Sequence, residues 1–242
     1  MTAMTRFTMP DALPEGEEKV EAVRSMFDAI APRYDLVNRI MTFRMDVRWR
    51  RHTVRTLGLP ADSTVVDLAC GTGDLCRELA SQGLAPIGVD LSFGMLAAAR
   101  TTAPLAHGDA LRLPFPAASA AGVTCGFALR NFEALPPFFA ELARIVRPGG
   151  RIALLEVAEP PNRLLRFGHG VYFGKVVPRV GGLLSDPAAY RYLPRSVAYL
   201  PDPGLMLGQL AAAGFVDVER RLLSVGIAQL ITATRRAEPD PA

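Results

Sequence analysis

The chain reads as a single α/β domain. Its core is a doubly wound sheet of five parallel strands plus a terminal antiparallel hairpin, with N-terminal helices in front and an insert before the hairpin. Three observations predict this. The apolar run Val65–Leu68 enters the glycine turn Ala69-Cys70-Gly71-Thr72-Gly73, and a helical stretch opens at Asp74. A second apolar run, Leu84–Val89, ends at Asp90, after which Ser92 can cap the helical Gly94–Arg100. The same alternation of short apolar runs and helical stretches then continues to Val157.

Each element follows in order. Residues 1–19, rich in Pro, Gly and acids, read as a flexible leader. Val20–Leu57 carries a helical pattern interrupted at Ala31-Pro32, because proline disfavours helix in the residue before it. The β/α core starts at Ser63. A third strand is expected at Leu105–His107, ending in Gly108-Asp109-Ala110, and a fourth at Gly122–Phe127, followed by a helix over Pro136–Val146. Pro148-Gly149-Gly150 turns the chain into a fifth strand, Arg151–Val157. Residues 159–203 lose the alternation to proline, glycine, aromatics and cations, and form the insert. Leu205–Ala213 is helical with Gly214 just past its end, and Val216–Leu223 and Gln229–Thr234 supply the hairpin. Residues 237–242 read as a flexible tail, leaving 20–236 as the domain.

The strand tips carry the chemistry, since ligands of open α/β sheets bind outside the carboxyl ends of the strands. Glycine lets backbone N–H groups approach a ligand closely, and an acid ending the second strand can accept ribose hydroxyls. Asp67, inside the loop, would repel a pyrophosphate and attract the ammonium of an amino-acid-bearing nucleoside. The pattern D-x-x-x-G-x-G with a later acid resembles the S-adenosylmethionine site of class I methyltransferases, a Rossmann-like fold. Cys76, small and in the third position of a dinucleotide fingerprint, keeps a dinucleotide turn as the alternative. The expected cofactor contacts are Asp67, Gly71, Thr72, Gly73, Asp90, Leu91, Asp109, Ala110, Gly126 and Phe127. Asp109 can accept from an adenine amine or cap a turn.

Composition narrows the class. The 242 residues carry a net charge of +3, and none of the short apolar runs approaches the roughly 20 residues of a membrane span. Acids at Asp11, Glu15, Glu17 and Glu18 and the lack of an apolar run argue against a signal peptide. Cys70, Cys76 and Cys125 lack the spacing of a disulfide framework or zinc site, which points to no metal and a reducing, cytoplasmic setting. Arg44, Arg48, Arg50, Arg51 and Arg55 crowd around Trp49. With few aromatic stacking residues and no repeated basic module, they read as a solvated helix face or a lipid-facing surface, not a nucleic-acid face.

Three further blocks resemble the ubiquinone/menaquinone C-methyltransferase family: Phe27-Asp28-x-Ile30-Ala31-x-Arg33-Tyr34-Asp35-x-x-Asn38 with Trp49; Phe127-Ala128-Leu129-Arg130-Asn131; and Ser185-Asp186-x-x-x-Tyr190-Arg191-Tyr192-Leu193-Pro194-x-Ser196-Val197. The resemblance covers residues 20–235. The chain departs from the family pattern at Arg44 and Asp46, at Ala120-Ala121 and at Ala128. The resemblance implies methyl transfer from S-adenosylmethionine to a ring carbon of demethylmenaquinol or a related polyprenyl quinol. It assigns catalytic roles to Tyr34, Arg130 and Asn131: Arg130 to stabilise phenolate charge, Asn131 and Tyr34 to orient ring oxygens or a water. An ion pair from Arg130 to an acid such as Glu133 is the plain alternative.

Two other readings fit the same residues: methyl transfer to another aromatic acceptor, and a non-catalytic cofactor-binding scaffold in a quinone-synthesis assembly. His169 could act as a base, although a satisfied or surface histidine is the plainer reading, and Met41, Met45, Met95 and Met206 read as packing residues. The insert is expected to close over the acceptor. Its apolar residues Leu164, Leu165, Phe167, Val171, Tyr172, Phe173 and Val176, interleaved with Arg163, Arg166, Lys175 and Arg179, suggest peripheral contact with the inner face of the membrane.

Overall fold

The computed structural model describes residues 14–237; the expected leader up to residue 13 and the tail from 238 lie outside the described residues. The core is a seven-stranded sheet of order β3-β2-β1-β4-β5-β7-β6. Its strands are β1 (Thr64–Leu68), β2 (Ala85–Asp90), β3 (Leu105–His107), β4 (Ala120–Gly126), β5 (Val146–Val157), β6 (Phe215–Leu223) and β7 (Ala228–Arg235). The first five pair in parallel, and β7 runs antiparallel to both β5 and β6. The strand order reverses between β1 and β4, so a crevice opens at their carboxyl ends. That crevice holds the site.

Around the sheet lie α1 (Gly16–Ile30), α2 (Tyr34–Met41), α3 (Met45–Leu57), α4 (Asp74–Ser81), α5 (Phe93–Ala97), α6 (Leu135–Ile145) and α10 (Pro203–Ala212). One face of the sheet packs Val66, Val123 and Ile152 against Phe138, Phe139, Leu142 and Leu210 of α6 and α10. The other packs Val65 and Ala153 against Val54, Leu57, Leu75 and Leu79 of α3 and α4. Strand β1 is covered on both sides, which is why it reads as an unbroken apolar run.

The caps follow the residue types. Ser92 Oγ accepts from Met95 N at 3.1 Å, yet α5 ends at Ala97 and not at Arg100. Asp202 accepts from Gly204 N at 2.8 Å ahead of a first-turn proline in α10, and Gly214 sits at φ +95°. Two expected boundaries move. Helix α1 starts at Gly16, inside the expected leader, and Lys19 is buried with its Nζ 2.6 Å from Phe132 O. Strand β5 begins at Val146, because Val146 already pairs with Ala120 before the Pro148–Gly150 irregularity.

The larger correction concerns the insert. Residues 159–203 are mostly helical: α7 (Arg163–Val171), a π-helical turn over Tyr172–Val176, α8 (Val177–Leu184) and α9 (Pro187–Ser196). Their period is hard to read because Gly168, Gly170, Gly174, Pro178, Gly181 and Gly182 are poor helix residues in isolation. Packing overrides that preference. Tyr190, Tyr192 and Val177 join Met26, Ile30 and Val37 of α1 and α2 in a separate buried cluster. Each of the buried aliphatic side chains there contributes roughly 1.5–3 kcal/mol relative to exposure. This cluster ties the N-terminal helices to the insert, so the two parts that flank the core fold as one layer.

Candidate active site

The glycine turn after β1 is built for close backbone approach. Gly71 and Gly73 hold φ of +56° and +83°, conformations that favour glycine. Gly71 N–H donates to Asp90 Oδ2 at 2.7 Å, and Ser92 N–H donates to Oδ1 at 2.8 Å. Asp90 is thereby fixed at the end of β2 with lone pairs left for a ligand's hydroxyls. Thr72 Oγ1 donates to Asp35 Oδ1 at 2.5 Å, so the start of α2 clamps the turn from above.

Asp67 is fully buried, and burial pushes its carboxyl up to about 7 despite hydrogen bonds from Thr124 Oγ1 (2.8 Å) and Cys76 Sγ (3.5 Å). Cys76 thus faces the acid of the loop, a poor setting for a pyrophosphate. The cleft around these groups is lined by Asp67, Gly71, Thr72, Asp90, Leu91, Asp109, Ala110, Gly126 and Phe127, with Val20, Val23 and Phe27 of α1. Nine of the ten expected cofactor contacts therefore meet in one cleft. Gly73 does not line it: a Cβ there would lie 2.6 Å from Thr101, and the residue serves the entry to α4. Asp109 is exposed, and its Oδ1 caps a turn by accepting from Leu111 N at 2.9 Å.

A second cavity, ≈ 420 Å³, opens beside the cleft between α2, α3 and the insert. Trp49, Phe127, Leu164, Tyr172 and Phe173 make it mainly apolar, a size and lining suited to a small aromatic ligand. Met41 and Met45 line it too, so they are wall residues of a cavity; Met95, though buried, lines the first cleft, and Met206 is buried in the core. Tyr34, Arg50 and Phe127 line both spaces. The two cavities therefore meet at these three residues. Phe127 is held at φ +62°, a strained position for a bulky side chain, by its N–H to Leu155 O (2.7 Å) and by its carbonyl, which accepts from Arg130 Nη1 (2.8 Å). Its ring packs on Trp49 and under the Arg50 guanidinium.

The expected catalytic residues divide between the two spaces. Arg130, 6% exposed, lines the second cavity. Its acid is Glu156 at the end of β5 and not Glu133; Nη1 ion-pairs with Glu156 Oε1, and Nε donates to Ser196 Oγ at 3.1 Å. Nη2 takes part in none of these bonds. Asn131 lines the cofactor cleft alone, and its Oδ1 accepts from Tyr192 O–H at 3.3 Å, so it does not reach the second cavity. Tyr34 stands at the junction. Burial raises its pKa and keeps its hydroxyl a donor, with Arg50 and Asn38 opposing.

Arg50 was misplaced by the sequence, and the partners of Asp35 and of the strand-tip acid Glu156 were not foreseen. Arg50, grouped with the solvated arginines, is buried and paired with Asp46 and Asp74, whereas Arg44, Arg48, Arg51 and Arg55 are exposed. Its position one turn from Asp46 was the available signal. Asp35 and Glu156 stand in the sequence as a motif acid and a strand-tip acid, but their partners Thr72 and Arg130 lie 37 and 26 positions away and are set by the fold. His169, expected at the surface or satisfied, lines the second cavity with Nε2 buried and unpartnered.

The mouth of this cavity carries exposed apolar side chains from three segments: Leu164 (78% exposed) on α7, Phe43 (74%) between α2 and α3, and Val225 (67%) between β6 and β7. Phe43 and Val225 both sit at positive φ, +50° and +55°. Arg163, Arg166, Lys175 and Arg179 are exposed on the insert, and among the described residues none of them pairs with an acid. Among the described residues no helix is long and apolar enough to cross a membrane, and no cluster of His, Cys, Asp and Glu could hold a metal ion.

Comparison with known proteins agrees with this architecture. Residues 15–235 match the model of the ubiE/COQ5 methyltransferase family. A demethylmenaquinone methyltransferase of Roseiflexus castenholzii is 41% identical over 235 residues, covering 93% of this chain and 98% of that protein. One from Thermus thermophilus is 41% identical over 220 residues, covering 87% and 100%. The ubiquinone/menaquinone biosynthesis C-methyltransferase of Geobacter sulfurreducens is 38% identical, covering 90% of each. Among solved structures, phosphoethanolamine N-methyltransferase 2 of Haemonchus contortus in complex with S-adenosyl-L-methionine superposes with a TM-score of 0.58 at 15% identity, covering 77% of this chain and 52% of that one. That likeness supports the fold, and the sequence match across the whole domain supports the rest: the chain belongs to the ubiE/COQ5 methyltransferase family.

Proposed function

We propose that this protein transfers a methyl group from S-adenosylmethionine to a ring carbon of demethylmenaquinol, or a related polyprenyl quinol, in menaquinone biosynthesis. The observation that carries this reading is the meeting of a nucleoside-type cleft and an apolar cavity at Tyr34, Arg50 and Phe127. The names of the Roseiflexus and Thermus relatives support the acceptor.

The residues of the cleft fit the cofactor. Asp90 and the Gly71 turn would hold the ribose, and Asp67, a buried acid that forms no ion pair among the described residues, would hold the ammonium. When bound, S-adenosylmethionine supplies an electrophilic methyl group. The chain's own work is to orient and to exclude water. Phe127, fixed from both sides of its peptide, sets the wall between the two spaces. Arg130, whose Nη2 has no partner among the described residues, is suited to stabilise negative charge on a ring oxygen as the acceptor hydroxyl loses its proton. Tyr34, at the junction, would donate a hydrogen bond to a ring oxygen. Asn131 acts on the cofactor side.

A polyprenyl acceptor has a ring to bury and a tail to leave outside. The apolar mouth at Leu164, Phe43 and Val225, flanked by the four cations of the insert, suits contact with the inner face of the cytoplasmic membrane. The testing experiment is methylation of reduced demethylmenaquinone in detergent micelles, with the product identified by mass spectrometry. A menaquinol carrying one new ring methyl is expected. A protein that binds S-adenosylmethionine but leaves this acceptor unmethylated would remove the acceptor from the reading.

A further inference from the structure

His169 lies on α7, in the insert wall of the acceptor cavity, its ring tilted by 36° against that of Phe173 with centroids 4.3 Å apart. Four buried side-chain polar atoms of the described residues lack a hydrogen-bond partner: Arg151 Nε, Tyr190 Oη, Gln209 Oε1 and His169 Nε2. Only His169 lines either cavity. Leu164, Leu165, Phe173 and Val177 line the same cavity. A buried nitrogen without a partner carries an unmet hydrogen-bond demand, and a hydroxyl donor seated in the cavity is one group that could meet it.

Arg130 and Tyr34 line the same cavity from the loop after β4 and from α2, so a ring seated there can face them and His169 together. A quinol has hydroxyls at opposite ring positions, one for each side. We propose that His169 accepts, through Nε2, a hydrogen bond from the ring hydroxyl remote from Arg130, and so selects dihydroxy aromatic acceptors. This rests on the acceptor reading given above. The terminal torsion of an imidazole is broad, so rotation about it can turn Nε2 toward a ring in the cavity. The charged and titratable groups around it are Glu159 before α7 and Tyr34, Asp46, Arg50, Arg130 and Tyr172 about the cavity, with Asp46 already paired to Arg50. Burial lowers the histidine's pKa, with Glu159 opposing, so the ring stays neutral and able to accept near pH 7.

The test compares wild type, His169→Phe and His169→Gln with two acceptors, a 1,4-naphthoquinol and its mono-O-methyl ether, across acidic to neutral pH. Loss of one hydrogen bond should raise the quinol KM of His169→Phe roughly fivefold to tenfold, with kcat much less affected. The Gln variant, whose amide oxygen can accept, should recover part of that loss. Wild type should favour the quinol over the ether and lose affinity in acid; His169→Phe should do neither. If wild type methylates the quinol and His169→Phe keeps its KM, its preference and its acid limb, the histidine has no such role. If wild type does not methylate the quinol at all, the acceptor reading falls and this inference with it.

Discussion

Arg130 and Glu156 form a buried ion pair that joins the loop after β4 to the end of β5. Glu156 also accepts from Arg130 N–H at 3.3 Å and from Val157 N–H at 2.8 Å, so the acid is fully engaged by its own chain. The pair explains how a charged side chain can wait inside an apolar cavity. Its charge is balanced, its direction is set by Ser196 and the Phe127 carbonyl, and Nη2 takes no part in these bonds.

Arg130→Ala should therefore lower turnover by roughly 10²–10³ while changing cofactor affinity only a few-fold. Glu156→Ala should act differently. It leaves the guanidinium buried without its counter-charge, which should cost roughly 3–5 kcal/mol in urea unfolding. Steady-state kinetics on the first variant and denaturation of the second separate the two roles. A turnover within a few-fold of wild type for Arg130→Ala would remove it from the mechanism.

Asp90→Ala should weaken S-adenosylmethionine binding by about 1–3 kcal/mol, because ribose hydroxyls lose a charged acceptor and the Gly71 turn loses its anchor. Calorimetry of the variant and of wild type with NAD checks this. Tighter binding of NAD than of S-adenosylmethionine would overturn the cofactor assignment.

Asp67 gives the free protein a distinct pH response. Its folded pKa, pushed by burial to about 7, stands above the ordinary carboxylate value of 3.8. The folded state then holds a proton that the unfolded chain has released. The resulting stabilisation is full below pH 4 and is lost as pH rises through 7. Asp67→Asn should flatten this part of the stability profile. Cofactor affinity should run the other way, rising from pH 6 to 8 as the ionised acid becomes available to the ammonium. A pH-independent dissociation constant in wild type would show that Asp67 does not pair with it.

The cations of the insert and the apolar mouth predict binding to anionic vesicles that weakens as salt rises, each cation contributing about 1 kcal/mol. Neutralising Arg163, Arg166, Lys175 and Arg179 together should release the protein without unfolding it. Substituting Phe43 and Val225 by Ser should do the same from outside the insert. Wild-type protein that stays in solution with quinone-loaded anionic vesicles at low salt would leave the insert as a lid alone.

The five parallel strands, the glycine turn and the acids at Asp67 and Asp90 were legible because each depends on local chemistry: apolar runs, residues able to take positive φ, and charges at strand tips. Nine residues of the first cleft could be named for the same reason. The insert was not legible, because its helices are glycine- and proline-rich and owe their form to Tyr190, Tyr192 and Val177 packing on α1 and α2.

The sequence by itself determined the sheet, the cofactor turn and the residue types available for chemistry, since spacing along the chain sets backbone form and strand-end position. Only the tertiary structure decided which of those residues work together. Arg130 finds Glu156 26 positions away and Ser196 66 positions away, and Asp35 reaches Thr72 across 37. It also moved Asn131 to the cofactor side and Arg50 from the surface to the junction of the two cavities. The reason is physical. A buried charge or hydroxyl is stable only beside its partner, and that partner is chosen by how layers pack, not by proximity in the chain.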